Sequence, residues 1–275
     1  MKTDFNPLNC RMLCQQPQRL NIWSAWNEHV PFAMSIVEMT LPRVIVELGT
    51  FAGVSYSAFC QAAAALATAT KCYAVDTWMG DEHAGFYGPE VYEDLKAHNI
   101  QYQSFSTLLR MTFDEALTHI ADGSVDLLHI DGLHSYEAVR HDYETWLPKM
   151  SERGVILFHD TAVREREFGV YRVWEEISAG RRHFHFHHGF GLGVLMVGSE
   201  IPPDLAGFFD AGEARPEALR ALFSSLGHQL QLEVERQQRE RRDAARETAR
   251  QAGILGGARR LKSKVVTLVR SLSSS

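Results

Sequence analysis

The chain contains little cysteine, no long apolar run and no excess of positive charge. Four of its 275 residues are cysteine, without the paired spacing of a metal site, and this pattern favours reduced thiols. Its apolar runs fall short of the ~20 residues that a membrane span requires. The net charge of −6 argues against a nucleic-acid partner. The N-terminal segment lacks an apolar signal core, so the sequence predicts a cytoplasmic protein.

Segments with strand and helix patterns alternate over most of the chain. Short apolar strand patterns recur between residues 44 and 197, separated mainly by helical patterns, and the last two flank a His/Gly turn like a hairpin. This order predicts an α/β, Rossmann-like, doubly wound sheet. We expect seven strands, mostly parallel, with an antiparallel last strand.

The composition changes after Gly198. We predict a globular domain with an N-terminal helical arm over residues 1–198, a proline-marked linker over 199–214 and a helical tail over 215–275. The basic amphipathic end of the tail, residues 258–270, predicts weak contact with an anionic membrane surface or docking on a partner. A tail without a function fits this composition equally well. The long helical pattern also favours a homo-oligomer.

The most informative segment is an apolar strand pattern that leads into Glu47 and a Gly-x-x-x-Gly loop. A tight turn at Gly49 and a helix that begins near Gly53 would leave backbone N–H groups facing a ligand. The next strand pattern ends in Asp76, which is suited to accept hydrogen bonds from a ribose diol. Together these features predict a nucleoside-type cofactor. An ordinary buried strand followed by a glycine turn is the alternative interpretation of the loop alone.

The spacing of the glycines separates two classes of cofactor. A dinucleotide fingerprint requires Gly-x-Gly-x-x-Gly, and a start at Gly49 places Phe51 and Val54 where the second and third glycines belong. This argues against an NAD-dependent oxidoreductase, which stays a rival interpretation. The acid-x-Gly-x-x-x-Gly form is similar to an S-adenosylmethionine loop, where no phosphate has to be accommodated.

Two further strand patterns end in an acid beside a histidine. Asp131 and His134 follow one apolar segment, and His159 and Asp160 end another. On neighbouring parallel strands these side chains would converge, and two adjacent carboxylates repel each other unless a cation lies between them. The pattern predicts a divalent ion such as Mg²⁺ or Mn²⁺ held by Asp131, His159 and Asp160. His134 is the candidate general base, because an unperturbed histidine titrates near neutrality. A helix-capping or turn role is the alternative for Asp131.

These motifs together resemble one family. The segments 47–53, 130–137 and 158–161 are similar to class I S-adenosylmethionine-dependent methyltransferases of bacterial sugar and polysaccharide biosynthesis, and the likeness covers about residues 20–198. The resemblance implies an O-methyltransferase that acts on a sugar hydroxyl, uses S-adenosylmethionine and is assisted by a divalent metal. His159 departs from it, because the metal-dependent sugar relatives carry a carboxylate at that position.

The same resemblance implies roles for individual residues. Asp131 and Asp160 would bind the metal, and His134 would be the base. The glycine loop and the end of the second strand would contact S-adenosylmethionine, and a loop after the third strand would lie against its adenine. The implied cofactor contacts are Glu47, Gly49, Gly53, Asp76, Met111, Thr112 and Phe113.

The sequence also indicates the surroundings of two more histidines. His129 alternates with apolar residues, which predicts a buried histidine. His83 lies in the glycine-punctuated loop 77–90, which is either a lid over a substrate or only a long connection.

The non-catalytic alternative is a domain that binds a nucleotide sugar or associates with a glycosyltransferase. As an enzyme, the protein would take a small-molecule or glycan acceptor.

Overall fold

The computed structural model describes residues 5–21, 24–83, 85–165 and 167–272, with side chains described up to residue 248. The chain divides into two compact units, Met1–Gln231 and Leu232–Ser275. The second unit continues as helical backbone over residues 232–272. The prediction for residues 258–270 concerns side chains that lie outside the described ones. Within the described ranges, every helix is too short or too polar to span a bilayer.

Seven strands of the first unit form a single sheet in the order β3-β2-β1-β4-β5-β7-β6. All neighbours pair in parallel except β7, which runs antiparallel to both β5 and β6. The predicted fold class is therefore confirmed. The strands are β1 Val44–Leu48, β2 Lys71–Asp76, β3 Ser106–Arg110, β4 Val125–Ile130, β5 Met150–His159, β6 His183–Phe186 and β7 Leu192–Met196.

Helices cover both faces of this sheet, because alternate strand residues face opposite sides. Ile45 contributes to the core shared with α1, α2 and α7, whereas Val46 contributes to the core shared with α5 and α6. A short ribbon, Gly80–Asp81 with Gly85–Phe86, lies in the loop after β2. The helices are α1 Val30–Thr40, α2 Val54–Ala65, α3 Glu90–Asn99, α4 Phe113–Ala116, α5 Tyr136–Trp146, α6 Val170–Ser178, α7 Pro203–Ala214 and α8 Pro216–Leu272.

The predicted linker over 199–214 is corrected by the structure. Residues 203–214 form α7, and its Phe208 and Phe209 side chains are fully or almost fully buried in the core. Phe223, on the part of α8 that belongs to the first unit, is buried there as well. The prolines misled the prediction because proline is well tolerated in the first turn of a helix, and Pro203 and Pro216 begin α7 and α8.

Candidate active site

The loop between β1 and α2 takes a conformation that depends on glycine. Gly49 has a φ of +86°, and a Cβ at this position would lie 2.0 Å from the carbonyl oxygen of Asp131. Gly53 has a φ of +71° and occupies the N-cap position of α2. A Cβ there would lie 2.4 Å from Cδ1 of Leu95, so Gly53 allows the close approach of α3. The predicted turn at Gly49 is confirmed.

Asp76 at the end of β2 closes this loop. Its carboxylate accepts hydrogen bonds from the backbone N–H groups of Thr50 at 2.9 Å, Phe51 at 2.8 Å and Trp78 at 2.6 Å. Burial raises the pKa of Asp76, while the hydrogen bond from Phe51 acts in the opposite direction. The side chain therefore organises the loop, and its contact with a ribose stays a prediction. The Thr50 hydroxyl is buried without a protein partner, as expected in a loop shaped for a polar ligand.

Glu47 and Met111 lie elsewhere than predicted. Glu47 is completely buried, and one of its carboxylate oxygens lies 2.8 Å from Nδ1 of His129, its partner in register on β4. Its carboxylate thus points into the interior and does not line the cavity described below. Met111 packs against the core on the α5 side of the sheet and does not line the cavity either. The prediction that His129 is buried is confirmed.

Thr112 and Phe113 reach the cavity, but Thr112 also has a structural role. Its hydroxyl accepts a hydrogen bond from the N–H of Glu115, whose carboxylate in turn accepts the N–H of Thr112. This capping box begins α4 and fixes the position of Phe113. Phe113 lies close to Gly132, where a Cβ would meet its ring at 2.5 Å.

The carboxyl ends of β4 and β5 bring two acids and a histidine together. The ligand atoms of Asp131, His134 and Asp160 lie within 4.8 Å of one another, and among the described residues this is the one group of three such side chains. Nε2 of His134 is 2.8 Å from Oδ2 of Asp160 and 3.7 Å from Oδ1 of Asp131. The imidazole stacks flat on Phe168, with ring centroids 4.4 Å apart.

The charges in this cluster favour protonated histidine. Burial alone would lower the pKa of His134, but its hydrogen bonds to Asp131 and Asp160 raise that pKa to about 9. Burial acts against ionisation of the aspartates as well, yet the charge of His159 keeps the pKa of Asp160 at about 2 and that of Asp131 below its usual range. With no cation between the aspartates, the pKa of His134 therefore lies above the neutral range of a free histidine.

His159 contacts oxygen atoms through both ring nitrogens. Its Nδ1 lies 3.2 Å from Oδ1 of Asp131, and its Nε2 lies 3.0 Å from the carbonyl oxygen of Gly189. Burial would lower the pKa of His159, but the charges of Asp160 and Asp131 outweigh burial and raise it well above the usual range. An imidazolium with both nitrogens facing oxygens has no lone pair for a metal. In this protonation state His159 is an internal counter-ion of Asp131 and Asp160, and its role as a metal ligand stays a prediction.

A cavity of about 710 Å³ joins the glycine loop to the acid–histidine cluster. This volume lies within the range of small-molecule sites. His83 also lines the cavity, and its Nδ1 is 3.3 Å from the backbone nitrogen of His134. Of the predicted site residues, those that line it are Gly49, Gly53, Asp76, Thr112, Phe113, Asp131, His134, His159 and Asp160.

The sequence did not indicate that an N-terminal tryptophan completes this site. The indole Nε1 of Trp26 donates a hydrogen bond to Oδ2 of Asp131 at 3.0 Å. The two residues are 105 positions apart, and no motif links them. The contact between Trp26 and Asp131 is therefore visible only in the folded chain.

The strand order with its antiparallel β7, the glycine loop after β1 and the cavity at the carboxyl ends of the strands define a Rossmann-like, doubly wound fold with a site where such sheets bind ligands. Residues 46–161, less than half of the chain, match a family described as a methyltransferase domain.

A curated relative is the uncharacterized protein y4gI of Sinorhizobium fredii. It is 54% identical over 204 residues, which cover 74% of this chain and 22% of that protein. The chain thus spans about a fifth of the length of the curated relative it matches. The relative's name gives no activity.

Solved structures show a remote likeness. A putative caffeoyl-CoA O-methyltransferase from Staphylococcus aureus has a TM-score of 0.48 and 14% identity, over 61% of this chain and 82% of that one. The S-adenosylhomocysteine-bound methyltransferase PaMTH1 of Podospora anserina has a TM-score of 0.46 and 14% identity, over 61% and 77%. The fold assignment rests on the strand order of this chain itself.

Proposed function

We propose that this protein is an S-adenosylmethionine-dependent O-methyltransferase that methylates a hydroxyl group of a sugar in glycan biosynthesis. The observation that carries the proposal is the shared cavity, which joins the glycine loop to the acid–histidine cluster. A methyl donor held by the loop and an acceptor held by the cluster would therefore meet in one cavity. Such alignment is the main contribution that a protein makes to methyl transfer.

The cofactor half of the cavity would be built by the β1–α2 loop. The loop residues Gly49 to Gly53 would face the cofactor, and Asp76, which also lines the cavity, would face its ribose. The unpartnered hydroxyl of Thr50 offers a further hydrogen bond. S-adenosylmethionine held there would supply an electrophilic methyl group for the acceptor oxygen, with a neutral thioether as the leaving group.

The acids of the cluster suit a hard divalent cation. Ligands of one Mg²⁺ lie about 3 Å apart, and Mg²⁺ is commonly held by one or two carboxylates with water completing its shell. Asp131 and Asp160 offer such carboxylates, with oxygens 3.7 Å and 2.8 Å from the same His134 nitrogen. The residues present therefore fit Mg²⁺ or Mn²⁺. An ion held by them would supply positive charge that makes a nearby hydroxyl more acidic.

His134 would accept the proton of the acceptor hydroxyl. Its pKa of about 9 in the metal-free chain reflects the neighbouring aspartates. Positive charge between those carboxylates would oppose protonation of the imidazole and lower its pKa towards neutrality. Nε2 is then the atom that takes up the proton, because Nδ1 is buried without a partner. The flat contact with Phe168 holds the ring in this orientation.

The acceptor end of the cavity combines polar and aromatic side chains. His83 and Glu165 offer hydrogen-bonding groups, while Phe168 and Phe190 present apolar rings. A sugar ring carries hydroxyl groups at its edge and C–H groups on its faces, and this combination supports a sugar as the acceptor class.

The proposal is tested by methyl transfer from labelled S-adenosylmethionine to oligosaccharide acceptors. We expect an alkali-stable methyl ether, loss of transfer in EDTA and recovery with Mn²⁺. The variant His134→Gln should bind the cofactor and Mn²⁺ like the wild type but turn over at least about 100-fold more slowly, the usual loss of a general base.

Three outcomes would change the proposal. Full activity in EDTA would remove the metal from it. Loss of Mn²⁺ binding in His134→Gln would make His134 a ligand instead of the base. Saturation of the chain by NADH, with no heat from S-adenosylmethionine, would overturn the proposal and favour an oxidoreductase.

A further inference from the structure

We propose that the N-terminal arm, residues 18–21 and 24–29, is part of the active site and positions both of its halves. Trp26 would orient the metal-binding carboxylate of Asp131, and Arg19 would hold the cofactor loop. This inference rests on the proposed function. The arm lies outside the segment 46–161 that matches the methyltransferase family, so the family match implies neither role.

The contact of Trp26 with Asp131 is built from a buried side chain. Trp26 is 3% exposed, and its ring packs against the imidazole of His129, with centroids 4.5 Å apart. Its N–H donates a hydrogen bond to Oδ2 of Asp131 at 3.0 Å, and Oδ1 of the same carboxylate faces His159 and His134. A carboxylate that could rotate would exchange its two oxygens. The indole prevents this, and partners of this kind orient metal ligands in proteins.

Arg19 reaches the other half of the cavity. Its Nε donates to the carbonyl oxygen of Ala52 at 2.6 Å, and a second guanidinium nitrogen lies 2.5 Å from Oδ2 of Asp94 on α3. Ala52 lies between Phe51 and Gly53, which both have positive φ values, 46° and 71°. A non-glycine residue in this region is strained, and such a conformation persists only where its surroundings impose it. Arg19 supplies part of that constraint by joining the loop to α3.

The arm is itself held in place by the first turns of α8. Asn27 is completely buried, and its side-chain amide donates to the backbone oxygen of Asn21 at 2.7 Å and to Oε1 of Gln231 at 2.9 Å. Gly227 allows α8 to pass so close that a Cβ there would lie 1.9 Å from the carbonyl oxygen of Glu28. The position of Trp26 is therefore fixed from both sides, as a positioning residue requires.

Two variants should separate the two halves of the site. Calorimetry with Mn²⁺ and, separately, with S-adenosylhomocysteine would be applied to the wild-type chain, Trp26→Phe and Arg19→Lys. We expect Trp26→Phe to weaken Mn²⁺ binding about tenfold or more, the usual effect of removing a partner of a metal ligand. Its affinity for S-adenosylhomocysteine should stay near that of the wild type. Arg19→Lys should show the reverse, with roughly tenfold weaker S-adenosylhomocysteine binding and unchanged Mn²⁺ binding.

The matched control is Trp146→Phe. Trp146 is also completely buried, but its indole N–H has no partner and it lies outside the cavity. The substitution removes the same atoms from the core and should leave both affinities unchanged. If Trp26→Phe does not fold, β-(3-benzothienyl)alanine at position 26 keeps the ring shape and removes only the N–H. The expected loss of Mn²⁺ affinity is the same.

The outcomes distinguish this inference from the proposed function. A wild-type chain that binds neither ligand would overturn the proposed function. A wild-type chain that binds both, with Trp26→Phe or Arg19→Lys changing neither affinity or both equally, would overturn the inference alone. Binding of S-adenosylhomocysteine without Mn²⁺ in the wild type would overturn the Trp26 role and leave the Arg19 role to its own measurement.

Discussion

Individual charges in the acid–histidine cluster balance one another without a metal. Asp131 and Asp160 are held ionised, while His134 and His159 are held protonated, so two negative charges meet two positive ones. His159 is bound on both nitrogens, whereas His134 contacts the acids through Nε2 and leaves Nδ1 without a partner. The cluster can therefore give up the proton of His134 more readily than that of His159. A cation that binds the aspartates would compete with this proton.

The pKa of His134 predicts how stability depends on pH in the absence of metal. The pKa is about 9 in the folded chain, against 6.5 for an ordinary histidine. Because the folded value is raised, the stabilisation is complete below about pH 6.5 and is lost as the pH rises through about 9. Through this shift, His134 contributes on the order of 3 kcal/mol to the free energy of unfolding.

Urea unfolding in EDTA at several pH values measures this contribution. The difference in unfolding free energy between the wild type and His134→Gln should shrink between pH 6.5 and pH 9.5. Comparison of the two chains cancels titrating groups that lie outside the acid–histidine cluster. A difference that stays constant with pH would show that His134 is not an imidazolium in the folded chain.

At the scale of elements, the β1–α2 loop contacts the ends of two other strands, β2 and β4. The backbone at Gly49 passes so close to the end of β4 that a side chain there would overlap the carbonyl oxygen of Asp131. Asp76 at the end of β2 then holds the next two N–H groups of the loop. The ends of β1, β2 and β4 are thus joined around a single glycine, and the loop cannot move without disturbing Asp131.

This close approach predicts different effects for two glycine substitutions. Gly49→Ala and Gly123→Ala both place alanine at a positive φ, +86° and +66°, but nothing lies within 4 Å of a Cβ at Gly123. Gly123→Ala should lower the free energy of unfolding only by the conformational cost, about 1 kcal/mol. Gly49→Ala should lose about 1–3 kcal/mol more through overpacking and should also lose S-adenosylhomocysteine binding. Urea unfolding and calorimetry on both variants check this, and equal losses would show that the contact with Asp131 is unimportant.

At the scale of the whole molecule, the first unit contains every residue that lines the cavity. The last of these is Phe190, and the arm that covers the site is held by α8 residues up to Gln231. Helix α7 and the first turns of α8 belong to the core of this unit, since Phe208 and Phe223 are buried in it. The compact unit that contains the cavity is therefore larger than the predicted domain 1–198.

Truncation tests this boundary. A chain that ends after Gln231 should keep the unfolding temperature of its first unit and its affinity for S-adenosylhomocysteine. A chain that ends after Pro202 loses α7 and the buried Phe208, Phe209 and Phe223, and it should fail to fold because about 3–5 kcal/mol is lost for each deleted core phenylalanine. Loss of folding after truncation at Gln231 would place the boundary further along the chain.

The sequence by itself determined the order of strands and helices, the turn at Gly49 and the convergence of Asp131, His134 and Asp160. These features follow from local patterns, because strand periodicity, a glycine at a positive φ and residues at the ends of parallel strands carry their meaning in a few adjacent positions. The prediction of a linker over 199–214 was wrong because it also relied on a local pattern, and proline is found at the start of helices as well as in linkers.

Only the tertiary structure decided what surrounds those residues. It turned Glu47 away from the cavity towards His129, placed His159 beside Asp131, and raised the pKa of His134 by placing two carboxylates beside it. It also brought Trp26 to Asp131 across 105 positions of chain. Burial and charge at a site depend on segments that are distant in sequence, and these terms are set only when the chain has packed.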